Sequence, residues 1–230
     1  LFLFLVALGM FTSGLGQASG TQVTETDSTL TLRNSKVRVE FPKGEAFDIS
    51  KLTLNGKELV LSKGYNTVPW TLTYKGPQGE NPVLFPSHGE YAGWAKTTKD
   101  GHVAIAFKWN MRLTYQDLVP VVMTVSLPGD SELAYWDIQA GTPDGWLVSN
   151  TQFPRITVTR PDKAKLITSA GWGAEYNLSN PQVYTSSYPS VTGSMQLLLL
   201  HNPDGSVYYA TEDREACGKD FRAAVGDKSV

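Results

Sequence analysis

The alternation of apolar and polar residues with a period of two constrains this chain more than any other pattern. In the segment 36–41, Val37, Val39 and Phe41 alternate with charged residues. Residues two apart on a β-strand share one face, so this spacing predicts a half-buried strand. Similar alternation recurs along the chain, whereas the spacing of an amphipathic helix is nearly absent. The sequence therefore predicts an all-β protein.

Short turn signals separate the predicted strands. Asn55-Gly56 readily takes two positive φ angles and predicts a two-residue hairpin, and Pro128-Gly129-Asp130 predicts a turn between two longer strands. Asn110 is interpreted as a further turn. The segments predicted as strands are 29–34, 36–41, 51–54, 57–61, 70–75, 103–109, 111–116, 119–127, 132–140, 156–159, 166–169, 196–201 and 206–212. About a dozen strands exceed what one open sheet usually holds, so we expect a large antiparallel β-sandwich.

Three stretches carry no strand pattern. Residues 76–93 and 170–193 are rich in Gly and Pro and are predicted as loops. A loop as long as the second one indicates a functional role or an interface. Residues 216–230 contain no element that would close the fold. We therefore expect the sandwich to span residues 21–221 and a linker to a C-terminal domain to begin at residue 222.

The first residues form an apolar segment of the kind found in secretory signals. It runs from Leu1 to Phe11, and a helix of about eleven residues is too short to cross a bilayer. Gly16 and Ala18 are small residues with the spacing of a cleavage site. We expect residues 1–20 to be a signal peptide that lacks its basic N-terminal part, and the domain to be secreted or periplasmic. The alternative is a buried apolar segment of the fold.

The composition argues against several classes of function. Hydrophobic residues make up 41% of the 230 residues, so the chain can bury a core. With a formal net charge of -2 and no basic stretch, a nucleic-acid partner is not expected. His88, His102 and His201 lie far apart and Cys217 is the single cysteine, so neither a metal site, a cofactor nor an internal disulfide is expected.

No set of residues is recognisable as catalytic. Carboxylates such as Glu175, Glu212, Asp213 and Glu215 could serve a glycosidase, but one sequence selects no pair among them. Ser194 follows a glycine but precedes a strand pattern, unlike the nucleophile of a strand-turn-helix elbow. We therefore assign no catalytic residue.

Aromatic residues in the predicted loops are the candidate sugar contacts. Flat indole rings can stack on the C–H faces of sugars, and Trp94, Trp146 and Trp172 lie in polar segments that read as loops. The alternative is that these rings pack beneath the loops. The other three tryptophans are expected in the core because they lie on predicted strands. They are Trp70, Trp109 and Trp136.

The last third of the chain contains a series of short motifs. They are Tyr188-Pro189-Ser190, Ser194-Met195-Gln196-Leu197, the segment 206–213 with the sequence SVYYATED, and Gly218-Lys219-Asp220-Phe221. In this order they resemble the galactose-mutarotase-like supersandwich that precedes a (β/α)₈ barrel in several bacterial glycoside hydrolase groups, including relatives of the endo-α-N-acetylgalactosaminidases. The opening segment 34–60, with its Leu-Asn-Gly-Lys hairpin, is similar to the first strands of such a sandwich. The resemblance spans residues 29–221.

This resemblance implies a non-catalytic, carbohydrate-associated sandwich that supports a catalytic barrel in the same chain. The mutarotases themselves use two histidines and a glutamate, a set that cannot be matched here, so their chemistry is not expected. Carbohydrate and a C-terminal catalytic domain are the implied partners, with no membrane span. The alternatives are a free-standing carbohydrate-binding module, a mutarotase-like or lyase-like enzyme, and a structural or adhesion domain.

Asp213 and Lys219 lie six residues apart in the segment that carries the resemblance. We expect them to form a charge pair where the sandwich meets the following domain. The alternative is two separately solvated charges, since exposed ion pairs contribute little.

Overall fold

In the computed structural model, β-strands make up 60% of the described residues and helix 2%. The structure describes residues 4–5, 20–43, 49–60, 68–115, 117–158, 163–170, 173–179, 181–190, 193–202, 205–211, 213, 215, 217–226 and 230. These proportions confirm the predicted all-β class.

Nineteen strands and one short 3₁₀ helix, Pro86–His88, lie within the described residues. The strands are β1 (Phe4–Leu5), β2 (Gln22–Glu25), β3 (Thr29–Arg33), β4 (Val37–Pro42), β5 (Lys51–Leu54), β6 (Lys57–Val60), β7 (Thr71–Lys75), β8 (Val83–Leu84), β9 (Gly89–Lys99), β10 (His102–Arg112), β11 (Leu118–Leu127), β12 (Tyr135–Ala140), β13 (Leu147–Gln152), β14 (Lys165–Thr168), β15 (Ala174–Asn177), β16 (Gln182–Tyr188), β17 (Leu197–Asn202), β18 (Gly205–Ala210) and β19 (Lys219–Val225).

The strands form five sheets in the described part of the chain, and the neighbouring strands within them run antiparallel. The first sheet has the order β2-β3-β4-β5-β6 and the second the order β12-β11-β10-β9. The third is β13-β7-β8, the fourth is β1-β18-β17-β14-β15, and the fifth is the pair β16-β19. Most pairs are sequential neighbours, as short turns require.

The first two sheets pack through their apolar faces. Val37, Val39 and Phe41 on β4 are at most 1% exposed, as their alternation predicts. The ring of Phe41 lies 4.8 Å from that of Phe107 on β10 and 6.0 Å from that of Trp136 on β12, measured between centroids. Two antiparallel sheets that share such a core form a sandwich. The predicted fold class is confirmed.

A tryptophan pair joins the third sheet to this core. Trp70, immediately before β7, meets Trp109 of β10 edge to face, with 5.5 Å between ring centroids. Both side chains are buried, and so is Trp136. The prediction that these three tryptophans lie in the core is confirmed.

The predicted hairpin at Asn55-Gly56 is confirmed. Asn55 has a φ of 52° and Gly56 a φ of 77°, and the two residues join β5 to β6. These are the left-handed angles that the two-residue turn needs. The turn around Pro128-Gly129-Asp130 is also present, because β11 ends at Leu127 and β12 follows.

The predicted turn at Asn110 is wrong, and so is a separate strand 111–116. β10 continues past Asn110, and Met111 is fully buried within it. The chain turns instead where the hydroxyl of Thr114 donates to Asp117 Oδ2 at 2.7 Å and the backbone N–H of Asp117 donates to that hydroxyl at 3.0 Å. The turn that was predicted at Asn110 therefore forms a few residues later, between Thr114 and Asp117.

The stretches predicted as loops contain several strands. Residues 76–93 include β8, the 3₁₀ helix and the start of β9, and residues 170–193 include β15 and β16. The expectation of no closing element after residue 216 is wrong, because β19 pairs with β16 and continues to Val225. β19 therefore extends into the stretch predicted as a linker from residue 222.

The strand predicted at 156–159 is absent from residues 156–158, and Thr159 lies outside the described residues. Val158 instead exchanges two backbone hydrogen bonds of 2.8 Å with Val230. This contact places the far end of the described chain beside the segment that follows β13.

The predicted signal peptide is described at Phe4–Leu5 and at Gly20. Phe4 and Leu5 form β1, whose backbone pairs with Tyr209 and Tyr208 of β18. The other residues of 1–20 lie outside the described part of the chain. The signal peptide therefore stays a prediction.

Candidate functional site

Trp94 lies in the middle of β9 and not on a loop, which corrects its predicted position. It is paired in register with Phe107 of β10, and its ring packs partly buried against the core. The glycines that suggested a loop are part of the strand. Gly93 has a φ of 102° next to an irregularity in the pairing with β10, which is how β-bulges use glycine.

Trp146 lies in a turn just before β13, as predicted, and is half-buried. Its ring covers Gly76, where an added Cβ would come within 2.8 Å of the indole Cη2 atom. The ring thus packs beneath the turn 76–80, the alternative considered for it above. Trp172 lies outside the described residues. Trp94 lies on β9 and Trp146 in the turn before β13, which belong to different sheets, and sugar contact by the three tryptophans stays a prediction.

Asp213 and Lys219 form the predicted charge pair. Lys219 Nζ donates to Asp213 Oδ2, and the side chains are 11% exposed for Lys219 and 19% for Asp213. Two backbone N–H groups complete the site, from Glu215 to Oδ1 at 3.0 Å and from Cys217 to Oδ2 at 2.8 Å. The carboxylate therefore organises the turn that leads into β19. Its location at a domain junction stays a prediction.

The hydrogen bonds around Asp213 hold its pKa well below the usual range of a carboxyl group. The bond from the Lys219 ammonium is the largest cause, followed by the backbone N–H group of Glu215. Because each of these groups stabilises the charged form, Asp213 stays ionised at any pH near neutrality.

Side chains at the ends of β17 and β18 connect the Asp213 turn to the fourth sheet. Gln196 donates through Nε2 to the backbone oxygen of Asp213 at 2.9 Å, and the hydroxyl of Thr211 donates to Gln196 Oε1. Lys219 Nζ also lies 5.9 Å from the centroid of the Tyr188 ring, within the range of a cation–π contact. Sequence reasoning found the charge pair but not these partners, because they depend on strand register.

A cleft of about 1300 Å³ opens beside this turn. One wall is the segment 149–158, a second is β19 with the end of β16, and a third is formed by residues of β17 and β18. Lys219 and Tyr188 belong to its lining, so the charge pair lies at the edge of the cleft. The sequence carried no signal for this cleft. The strands β17 and β18 of its third wall were predicted, but the course of the segment 149–158 and the pair of β16 and β19 were not.

The cleft is lined by aromatic rings and polar groups together. The aromatic residues in its lining are Trp136, Phe153, Tyr188, Tyr209 and Phe221. Serine, threonine, asparagine and glutamine side chains of the segment 149–157 supply hydrogen-bonding groups beside them. Burial raises the pKa of Tyr209 above its usual value, so its phenol remains protonated. Small-molecule sites commonly combine apolar surface with a few polar groups in this way.

Three basic side chains line the cleft, and sequence reasoning did not single out two of them. Lys219 is neutralised by Asp213, whereas Arg155 and Arg222 form no ion pair with a described residue. Arg155 is half-buried on the wall 149–158, and Arg222 is exposed on β19. Among the described residues, Arg155 is therefore the unpaired cation of the lining, whereas Arg222 lies on the same face of β19 as Asp220.

The described lining of the cleft does not contain the acids that glycoside hydrolysis needs. Asp220 is the one carboxylate side chain among the described lining residues, whereas hydrolysis requires two carboxyl groups across the bond. Of the carboxylates considered from the sequence, Glu175 pairs with Lys165 at 2.6 Å and Asp213 with Lys219, and Glu212 lies outside the described residues. The described geometry can bind a polar ligand but assembles no hydrolytic pair.

The described residues lack two further features. These residues contain no group of three or more His, Cys, Asp and Glu side chains that could hold a metal ion. The same part of the chain has no helix with the length and apolar character that a membrane crossing requires.

Comparison with known proteins relates the chain to a much longer one. No protein-family model matches it. It is 40% identical over 200 residues to a protein of Bacteroides thetaiotaomicron that carries the name "Putative glycoside hydrolase". The match covers 86% of this chain, and the chain spans 30% of the length of that curated relative. Identity of this extent shows that the two proteins are related over most of the present chain.

Proposed function

We propose that this chain is the N-terminal, carbohydrate-associated β-sandwich of a secreted bacterial glycoside hydrolase, and that it supports a C-terminal (β/α)₈ catalytic domain without supplying catalytic residues. The observation that carries the proposal is the similarity to a protein named as a glycoside hydrolase, of which the chain spans only 30%. The matched region has 200 residues, which is the size of one domain, since domains commonly have 50–250 residues. The rest of the relative is long enough to contain a separate catalytic domain.

The fold and the cleft support this role. An antiparallel sandwich with a gap between its sheets offers a surface for a polar ligand. The cleft combines the rings of Tyr188 and Phe153 with polar side chains, as carbohydrate contact requires. Its described lining contains a single carboxylate side chain, Asp220, so we place the hydrolytic acids in the catalytic domain.

The experiment compares this chain with the polypeptide encoded when its reading frame is extended past Val230. Both are assayed on aryl glycosides and polysaccharides. We expect turnover by the longer polypeptide and none by the 230-residue chain. Turnover by the shorter chain that disappears in Asp220→Asn or Glu175→Gln would contradict the non-catalytic role. A stop codon directly after Val230 would remove the proposal.

The second candidate is a carbohydrate-binding module that acts alone, favoured by the aromatic and polar lining of the cleft. It predicts that the reading frame ends soon after Val230 and that the chain binds polysaccharide unaided. The same extension of the reading frame therefore separates the two candidates.

A further inference from the structure

The cleft beside β19 is larger than one sugar ring requires. Its volume of about 1300 Å³ exceeds the roughly 300–1000 Å³ of typical small-molecule sites. It has aromatic residues on more than one wall, with Phe153 on the segment 149–158 and Phe221 on β19. These dimensions suit an oligosaccharide whose rings contact both walls.

The charges in the cleft restrict the chemistry of that oligosaccharide. Lys219 is paired with Asp213. Asp220 and Arg222 lie on the same face of β19, so the carboxylate partly offsets the positive charge of the arginine. Arg155 differs: the residue is half-buried on the wall 149–158, and its guanidinium forms no hydrogen bond or ion pair with a described residue. A guanidinium without an acceptor favours an anionic ligand, because its planar donors match two oxygens of a carboxylate or a sulfate.

From this arrangement we infer that the cleft binds an acidic oligosaccharide, with a uronate carboxylate or a sulfate ester on Arg155. This inference rests on the proposed association with carbohydrate and adds the class of glycan. Tyr188, held beside Lys219 at the edge of the cleft, provides a ring on which a neighbouring sugar can stack.

Binding is measured by titration calorimetry with the full 230-residue chain and with the longer polypeptide. The probes are an oligogalacturonate for the carboxylate, a chondroitin-sulfate oligosaccharide for the sulfate, and a xylo-oligosaccharide as the neutral sugar of equal length. We expect at least one acidic probe to bind about ten-fold or more tightly than the neutral probe, and to weaken as salt is raised.

Arg155→Gln is expected to lower the affinity for the acidic probe by about ten-fold or more, because it removes a charged donor from the cleft. The matched control is Arg38→Gln, since Arg38 is paired with Glu40 on β4 and lies outside the cleft lining. This control changes the net charge equally and should leave the affinity unchanged. Should Arg155→Gln fail to fold, as judged by thermal unfolding, Arg155→Lys keeps the charge without the planar fork and should give an intermediate loss.

Equal binding of neutral and acidic probes, or equal effects of the Arg155 and Arg38 variants, would overturn the inference and leave the proposed function standing. Binding by the 230-residue chain that is lost in the longer polypeptide would also overturn it, since the cleft would then be filled by protein. Failure of every glycan to bind or to be hydrolysed by the longer polypeptide would count against the proposed function as well.

Discussion

Asp213 shows how one carboxylate can fix the path of a turn. It receives hydrogen bonds from the Lys219 ammonium and from the backbone N–H groups of Glu215 and Cys217. We expect Asp213→Asn to lower the urea midpoint of unfolding, because the lysine loses its counter-charge in a site where both side chains are mostly buried. Glu175→Gln is the matched control, since the Lys165–Glu175 pair is exposed and should contribute little.

A double-mutant cycle tests whether Lys219 and Asp213 stabilise the fold through their interaction. We expect Asp213→Asn and Lys219→Met to lower the midpoint together by less than the sum of their separate effects, as residues in one network do. Additive effects, measured in both this chain and the longer polypeptide, would show that the two residues are independently solvated charges.

The depressed pKa of Asp213 makes its contribution dependent on pH. A carboxyl whose pKa is lower in the folded state stabilises the fold above its unfolded value, here the ordinary 3.8, and the stabilisation is lost as the pH falls toward the folded value. The difference in urea midpoint between the wild type and Asp213→Asn should therefore be constant from neutral pH to about 4 and shrink below it. A difference that persists unchanged at pH 3 would contradict the assignment.

For individual side chains, the sequence could predict contacts between residues close in the chain, and few others. Asp213 and Lys219 are six apart, and their opposite charges suggested the pair. The bond from Gln196 to the same turn, and the location of Arg155 across the cleft from β19, both depend on how distant strands pair. No local pattern carries that information.

Among the elements, strands with one buried face were predictable and strands of mixed exposure were not. β4 alternates strictly and was found within one residue of its ends. β19 is an exception, because its Phe221, Ala223 and Val225 alternate with exposed residues and it was still missed. β9 contains two glycines and mostly exposed side chains, and β16 contains a run of polar residues, so neither shows the apolar alternation that marks a strand. Their pairing partners stabilise them instead.

Gly89 is required in β9 because the strand lies close to β10. An added Cβ would come within 2.7 Å of the backbone oxygen of Asn110 and would also meet Met111 Sδ. We expect Gly89→Ala to destabilise the protein by about 1–3 kcal/mol through overpacking, read by denaturant unfolding. Gly20→Ala is the control, because nothing lies within 4 Å of its Cβ position. Equal stability of the two variants would mean that β9 can move away from β10 at little cost.

For the molecule as a whole, the packing between sheets carries the stability. Phe41 of β4 contacts rings on both β10 and β12, and is 1% exposed. Phe41→Ala should destabilise the fold by about 3–5 kcal/mol, because it removes the contacts of β4 with two strands of the facing sheet and leaves a cavity. Leu118→Ala, at a position 59% exposed, should change the unfolding free energy by about 0.5 kcal/mol or less. A small effect at Phe41 would show that the two sheets are held together elsewhere.

The fold class of the whole molecule was predictable from the sequence, whereas the cleft was not. Alternation and turn signals suffice to indicate many antiparallel strands, and their number indicates more than one sheet. The cleft arises from the arrangement of the segment 149–158 against β19, and this arrangement is closed at one end by backbone bonds between Val158 and Val230. Such long-range contacts have no periodic signature in the sequence.

The pair of buried tryptophans gives the molecule an optical signal of its own. Trp70 and Trp109 are buried and meet edge to face, so their electronic transitions couple and should give a circular dichroism band of their own. That band is lost as soon as the two rings separate, even if the strands on either side persist. The band therefore reports on the packing of Trp70 against β10, separately from the backbone signal of the strands.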